Sequence, residues 1–134
     1  MNGDVIYVDT SAFVKLFLPE PDTPALTRYL ASRPHRVSAV LLRTEALRAA
    51  VRATLSPQRM LVVRALLDSL SYVAADQALS DEAGILRPPE LGSLDAIHLA
   101  TARAMGTNLL ALVTYDARLA DAAAWYGMPV ASPV

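Results

Sequence analysis

Apolar positions in this chain fall into short unbroken runs that alternate with longer periodic stretches. The first run, Asp4 to Val8 in "DVIYVD", is continuous and β-branched, which predicts a buried strand. "TSAFVKLFL" then predicts a short helix with Thr10 or Ser11 as N-cap. Pro19, Pro21 and Pro24 stop it, and Asp22 or Thr23 caps a second helix running to about Ser32. "RVSAV" is a second strand. Leu41 to Leu55 and Ser56 to Leu70 carry helical spacing and predict a long hairpin of two helices.

The alternation continues to the end of the chain. "SYVAA" is a third, weaker strand, and Asp76 to Ile85 is helical. "RPPELG" interrupts, because Pro88-Pro89 cannot sit inside a helix. Ser93 is expected to cap "LDAIHLATARAM", which stops at Gly106. "NLLALVTYD" holds the fourth strand, "ARLADAAAWYG" a helix closed by Gly127, and "MPVAS" a fifth strand. Strand and helix in alternation specify an α/β fold with a mainly parallel sheet of about five strands.

Composition sets limits on this picture. The 134 residues suit one domain, and 54% hydrophobic content excludes a disordered chain. No repeat, linker or low-complexity tract suggests a boundary within residues 1–134. No apolar stretch reaches the ~18 residues that cross a membrane, and "MNGDVIYVD" lacks the form of a secretory signal. The absence of cysteine excludes disulfides and thiolate metal sites and is compatible with the cytoplasm. Net charge is −1, from 12 cationic and 13 acidic residues, and 11 of the 12 cations are arginines. If four acids are set aside in one site, nine remain against twelve cations, a balance of +3 that allows a mildly basic surface around an acidic pocket.

Four acids stand out by position. Ligands of open α/β sheets bind at the carboxyl ends of the strands. Asp9 directly follows the first strand and Asp116, in "LVTYD", follows the fourth. Asp95 lies just inside a helix, and Glu45 sits in an Ala/Leu/Arg helix shortly after the second strand. All four occupy largely apolar segments, where carboxylates are rare unless paired or metal-bound. Two carboxylates about 4 Å apart repel by roughly 4 kcal/mol at an effective dielectric near 20. Four that converge must share protons or hold a cation, and an all-oxygen set selects Mg²⁺ or Mn²⁺. Such ions polarise phosphoryl oxygens and activate water, which suits phosphodiester hydrolysis.

At these residues a family becomes recognisable. "YVDTSAFVKLFLPEP", "TEALRA", "SLDAIHLATA" and "LLALVTYDARLADAA…GMPV" resemble the PIN-domain ribonucleases, and within them the VapC toxins of VapBC toxin–antitoxin systems. The resemblance implies a three-layer α/β/α sandwich. It implies a metal-dependent endoribonuclease with Asp9, Glu45, Asp95 and Asp116 as catalytic, Mg²⁺- or Mn²⁺-binding residues, supported by Ser11 and Thr114. It further implies an RNA substrate, a homodimer and a VapB-type antitoxin that occludes the site. One departure is visible: relatives carry a basic residue just before "SLDA", where this chain reads "ELGSLDA" with Arg87 several residues earlier.

Each residue also has a plainer reading. Asp9 and Asp116 are acceptable N-caps, Asp95 suits the first turn of any helix, and Glu45 has Arg48 three residues on. His98, mid-helix, is expected to make a buried hydrogen bond; His35 is expected in solvent. Asp121 is expected at the periphery, Tyr115 in packing, and Trp125-Tyr126 at the edge of the core. Arg43, Arg48, Arg52, Arg59 and Arg64 on the hairpin face RNA, acidic antitoxin residues or solvent. The hairpin has more apolar surface than one sheet face needs, which suits a partner helix or a dimer contact. The rival functions are a PIN nuclease without an antitoxin, a non-enzymatic PIN scaffold, and a phosphotransfer receiver. The last needs a lysine after the fifth strand, and Lys15 is the only lysine in the chain.

Overall fold

The five strands lie side by side in one sheet whose every pairing is parallel. The computed structural model describes residues 3–134. The strands are β1 (Val5–Val8), β2 (Arg36–Ala39), β3 (Ser71–Val73), β4 (Leu109–Val113) and β5 (Val130–Ala131), in the order β3-β2-β1-β4-β5. The helices are α1 (Thr10–Val14), α2 (Thr23–Ala31), α3 (Leu41–Arg52), α4 (Pro57–Asp68), α5 (Gln77–Gly84), α6 (Ser93–Arg103) and α7 (Ala117–Trp125).

Side chains alternate across the strands and build a core on each face. Ile6 and Val8 of β1 pack with Phe13, Leu26, Leu42, Val63 and Leu67 of α1–α4. Tyr7, one position out of phase, packs with Leu112 of β4, Leu99 of α6 and Leu119 of α7. α5 lies outside α6, Leu79 and Ala83 against Ala96 and Ala100. The result is the parallel five-stranded α/β sheet expected from the chain pattern, in the three-layer α/β/α sandwich that the family resemblance implies. No helix among the described residues is long and apolar enough to cross a membrane.

Helix starts follow side-chain chemistry, with corrections. Ser56 and Asp76 cap α4 and α5 by accepting from Arg59 N and Leu79 N at 3.2 and 2.8 Å. The cap of α1 is Asp9, not Thr10 or Ser11, and the N-cap position of α6 is Gly92, with Ser93 already its first residue. α1 is also shorter than expected. After Val14 the chain tightens into i→i+3 turns, Leu16 N to Phe13 O and Phe17 N to Val14 O. The apolar spacing persists because Phe17 still reaches the core. Lys15 locks this corner: its ammonium meets Glu20 at 2.8 Å and Asp22 at 3.1 Å and lies 4.6 Å from the centre of the Tyr115 ring. Tyr115 is thus a packing residue, and its hydroxyl donates to Pro133 O.

At the end of α7, Gly127 turns the chain with φ +74°, and Met128 N bonds back to Ala123 O at 3.0 Å. A Cβ there would meet no atom within 4 Å. Gly127→Ala is therefore expected to lower stability by about 1 kcal/mol, from backbone conformation alone. Chemical denaturation would measure it, with no change expected in the slope.

Candidate active site

Parallel pairing puts every strand's carboxyl end on one edge of the sheet. The chain moves outward from β1 through β2 to β3, then returns to the other side of β1 as β4. The strand order reverses between β1 and β4, and crevices for ligands open at such a point. The register there is Val8 beside Val113. The next residues on the two strands, Asp9 and Thr114, therefore meet.

Asp9 is only 3% exposed, and no arginine or lysine touches it. Three donors hold its carboxylate instead. Ser11 Oγ reaches Oδ1 and Oδ2 at 2.8 and 2.9 Å, Ala12 N donates to Oδ1 at 2.9 Å, and Thr114 Oγ1 donates to Oδ2 at 2.5 Å. Three hydrogens on about four lone-pair positions leave room for one more ligand. Burial lifts the Asp9 carboxyl above its ordinary value, against the opposing pull of those donors and of His98. Thr114, fully buried, also receives Asp116 N at 3.0 Å and so sets the turn that presents Asp116.

The other three acids are each tied to their own helix. Asp116 caps α7, its Oδ1 accepting from Arg118 N and Leu119 N at 2.9 and 3.2 Å. Asp95 sits in the first turn of α6. Burial raises its carboxyl, and the neighbouring charges of Asp116 and Glu45 raise it further, while His98 and Arg118 oppose them. Asp95 thus feels Asp116 and Glu45 across long chain separations. The plain readings of these three acids hold: Asp9 and Asp116 are helix caps and Asp95 is a first-turn acid.

Glu45 corrects an expectation. Its partner is not Arg48 but His98, whose Nε2 lies 2.8 Å from Oε1, together with Thr10, which donates to the same oxygen at 2.5 Å. Burial pushes the Glu45 carboxyl up, but the His98 and Thr10 contacts outweigh it and hold it below the usual value. Behind His98 the network is closed. Nδ1 lies 2.7 Å from the Tyr7 hydroxyl, and that oxygen accepts from Ala39 N at 3.1 Å. An ionised carboxylate only accepts, so Nε2–H is assigned as the donor to Glu45. His98 is the buried, hydrogen-bonded residue that its mid-helix position suggests. The contacts of Tyr7 and Thr10 with this His98–Glu45 pair were missed in the sequence reading. The one available signal was a tyrosine in a wholly apolar strand. Tyr7→Phe leaves Ala39 N without its acceptor and Nδ1 without its partner, and is expected to cost about 2 kcal/mol in a thermal or urea melt.

Several carboxylate oxygens remain without a protein partner among the described residues: both of Asp95, Oδ2 of Asp116 and Oε2 of Glu45. None is sealed from solvent. As they stand, no three acidic or histidine groups among the described residues form a ready cage for an ion. Asp9, Glu45 and Asp116 have turned to internal donors, as uncompensated like charges should, and Asp95 has none among the described residues. The donor set nonetheless fits a hard dication: it is all oxygen, strongly negative, partly open to water, and built around one buried carboxylate with a lone pair to spare.

Of the hairpin arginines, Arg43 pairs with Asp68 at 3.0 Å and Arg59 donates to Phe17 O at 2.9 Å, so both support the fold. His35 is exposed, 3.5 Å from Asp4.

Known proteins agree with this geometry. A family model described as PIN domain matches residues 6–124. Ribonuclease VapC46 of Mycobacterium tuberculosis is 46% identical over 128 residues, covering 96% of this chain and 97% of the relative. Ribonuclease VapC35 of the same species is 39% identical over 133 residues, with the same coverage. Among solved structures, M. tuberculosis VapC20, described as a sarcin-ricin loop cleaving toxin, superposes with a TM-score of 0.71 at 18% identity, covering 87% of this chain and 94% of that one. A chain of a toxin–antitoxin complex from Klebsiella pneumoniae gives 0.71 at 21% identity, over 96% and 98%. The chain belongs to the PIN-domain family and, within it, to the VapC ribonucleases.

Proposed function

We propose that this chain is a metal-dependent endoribonuclease that hydrolyses RNA phosphodiester bonds as the toxin of a type II toxin–antitoxin pair. The observation that carries the reading is Asp9. It is a buried carboxylate with no arginine or lysine beside it, at the strand-order reversal of a parallel sheet, and on the helices nearby Asp116 and Glu45 are close enough to perturb Asp95. Membership of the VapC ribonucleases supports the substrate class.

Asp9, Asp95, Asp116 and Glu45 would hold Mg²⁺ or Mn²⁺. When bound, such an ion supplies Lewis-acid polarisation of the phosphoryl oxygen and lowers the pKa of a coordinated water. The chain's own residues orient the pieces. Ser11 and Thr114 fix the Asp9 carboxylate from behind, so that its free lone pair keeps one direction. Thr10 and His98 fix Glu45 through Oε1 and leave Oε2 to accept from water. The N–H groups at the start of α6, where no side chain caps, offer donors to an anionic phosphate.

The toxin reading brings a VapB-type antitoxin, a homodimer and a cytoplasmic setting with it. Exposed Val51, Leu61 and Val62 on the α3–α4 hairpin support a partner surface there. The test is direct. Purified protein should cleave RNA internally with Mg²⁺ or Mn²⁺ and stop on chelation. A short reading frame beside the gene should encode a protein that co-purifies and suppresses cleavage. Undiminished cleavage in chelator would refute the metal role, and cleavage without any such neighbour would leave a nuclease outside toxin–antitoxin pairs.

A further inference from the structure

The sequence suggests that Trp125 and Tyr126 both close the core; the structure separates them. Tyr126 is half-buried, accepts from Arg87 N at 2.8 Å and has the Arg103 guanidinium 4.5 Å from its ring centre. Trp125 is 68% exposed. Its indole stands edge-on to Tyr126, with centroids 4.8 Å apart and planes at 89°, so it is braced while most of its surface stays in solvent.

That indole borders a cleft of about 870 Å³. Arg87, Pro88 and Pro89 form one wall. Arg118, Asp121, Ala122 and Trp125 form the other, at i, i+3, i+4 and i+7 along α7, a single helical stripe. Seven residues separate Arg118 from Trp125, about 10 Å along the helix axis. That is the length of about three stacked nucleotides at the ~3.4 Å rise per strand. The near end of the stripe touches the candidate active site: Arg118 N donates to Asp116 Oδ1, and the Arg118 charge acts on Asp95.

We propose that this cleft is a nucleobase subsite, in which a base of the RNA strand flanking the scissile phosphate stacks on Trp125. The proposal rests on the ribonuclease reading above. Three features favour RNA over a protein segment. Arg118, in the cleft lining, is also the residue whose backbone N–H meets Asp116, so a strand engaged at the carboxylates has the cleft next to it. Arg87 and Arg118 stand on opposite walls, where guanidinium groups meet backbone phosphates. Glu90 and Asp121, also in the lining, accept from exocyclic amino or ring N–H groups of a base and are wrong for phosphate. A braced aromatic among such groups is how proteins hold single-stranded bases.

Trp125 is the chain's only tryptophan, so indole emission reports this cleft alone. A single-stranded RNA 12-mer of mixed sequence would be titrated into the Asp9→Asn variant in Mg²⁺, following indole emission and, separately, the anisotropy of end-labelled RNA. The expected result is saturable quenching with the same midpoint as the anisotropy. Trp125→Ala should weaken binding about tenfold without lowering the melting temperature, and Trp125→Phe should recover most of the loss. In the active chain, Trp125→Ala should raise KM for RNA. RNA binding that leaves emission unchanged, or that Trp125→Ala leaves unaltered, overturns the proposal while metal-dependent cleavage preserves the nuclease reading. So does a Trp125→Ala variant that loses self-association or antitoxin binding but keeps its RNA affinity. Absence of both RNA binding and cleavage would overturn the two readings together.

Discussion

Asp9→Asn is expected to reduce RNA cleavage by about 10³-fold or more while the protein stays folded. The substitution changes charge with almost no change of shape. The buried carboxylate becomes an amide that still accepts on one oxygen, and the Thr114 and Ser11 hydroxyls can rotate to accept from its NH₂. Burial already disfavours the ionised Asp9, so a neutral side chain should leave stability unchanged or slightly raised in metal-free buffer. The catalytic loss follows from the ion. A lost ligand removes several kcal/mol of charge stabilisation in the transition state, and each 1.36 kcal/mol is tenfold in rate. Gel-based cleavage beside a thermal melt measures both halves. A folded Asp9→Asn protein with full activity would end the assignment.

The second large effect is on stability. At free Mg²⁺ or Mn²⁺ a hundredfold above its dissociation constant, binding should stabilise the fold by about 2.7 kcal/mol and raise the melting temperature by about 10 °C. The pH dependence should reverse with the ion. In chelator, Asp9 and Asp95 have folded pKa values above their unfolded values near ~4. The folded state then binds more protons, so stability falls as pH rises from about 4 through their raised values. Glu45 works the other way: its contribution is present above its unfolded value and is lost as pH falls through its depressed one. Two raised acids against one lowered predict a melting temperature that declines toward neutral pH. With saturating metal, ionisation is what the ion requires, and the melting temperature should climb over the same range. Melting curves indifferent to both ions between pH 5 and 8 would remove the metal site from consideration.

The parts of this site that lie close to strand ends were legible in the residues. A short apolar run ends on Asp9 and another ends three residues before Asp116, and an all-parallel sheet puts both strand ends on one edge. What escaped was whatever depends on tertiary contact alone. Glu45 and His98 are 53 residues apart, and the local pattern offered Arg48 instead. Asp9 as cap of α1 was hidden because Thr10 and Ser11 are equally good capping residues. Gly92 displaced Ser93 because an extended backbone, not a side chain, starts α6. Trp125 was misplaced for a general reason: large aromatics are mostly buried, and helical phase alone does not tell which stripe faces the sheet. Asp121, expected at the periphery, indeed stands apart from the four acids, on the cleft beside them.

The corner locked by Lys15 has an effect that reaches the molecular surface. The chain's single lysine is spent internally on Glu20 and Asp22, so every permanent side-chain cation it can offer a partner is a guanidinium. Such groups stay charged through the whole physiological range and grip phosphate or carboxylate with two parallel bonds. Lysine acetylation would find no outward target here, and amine-directed labels should react poorly with the side chains of the folded protein. Control over what this surface attracts is left to whatever covers it.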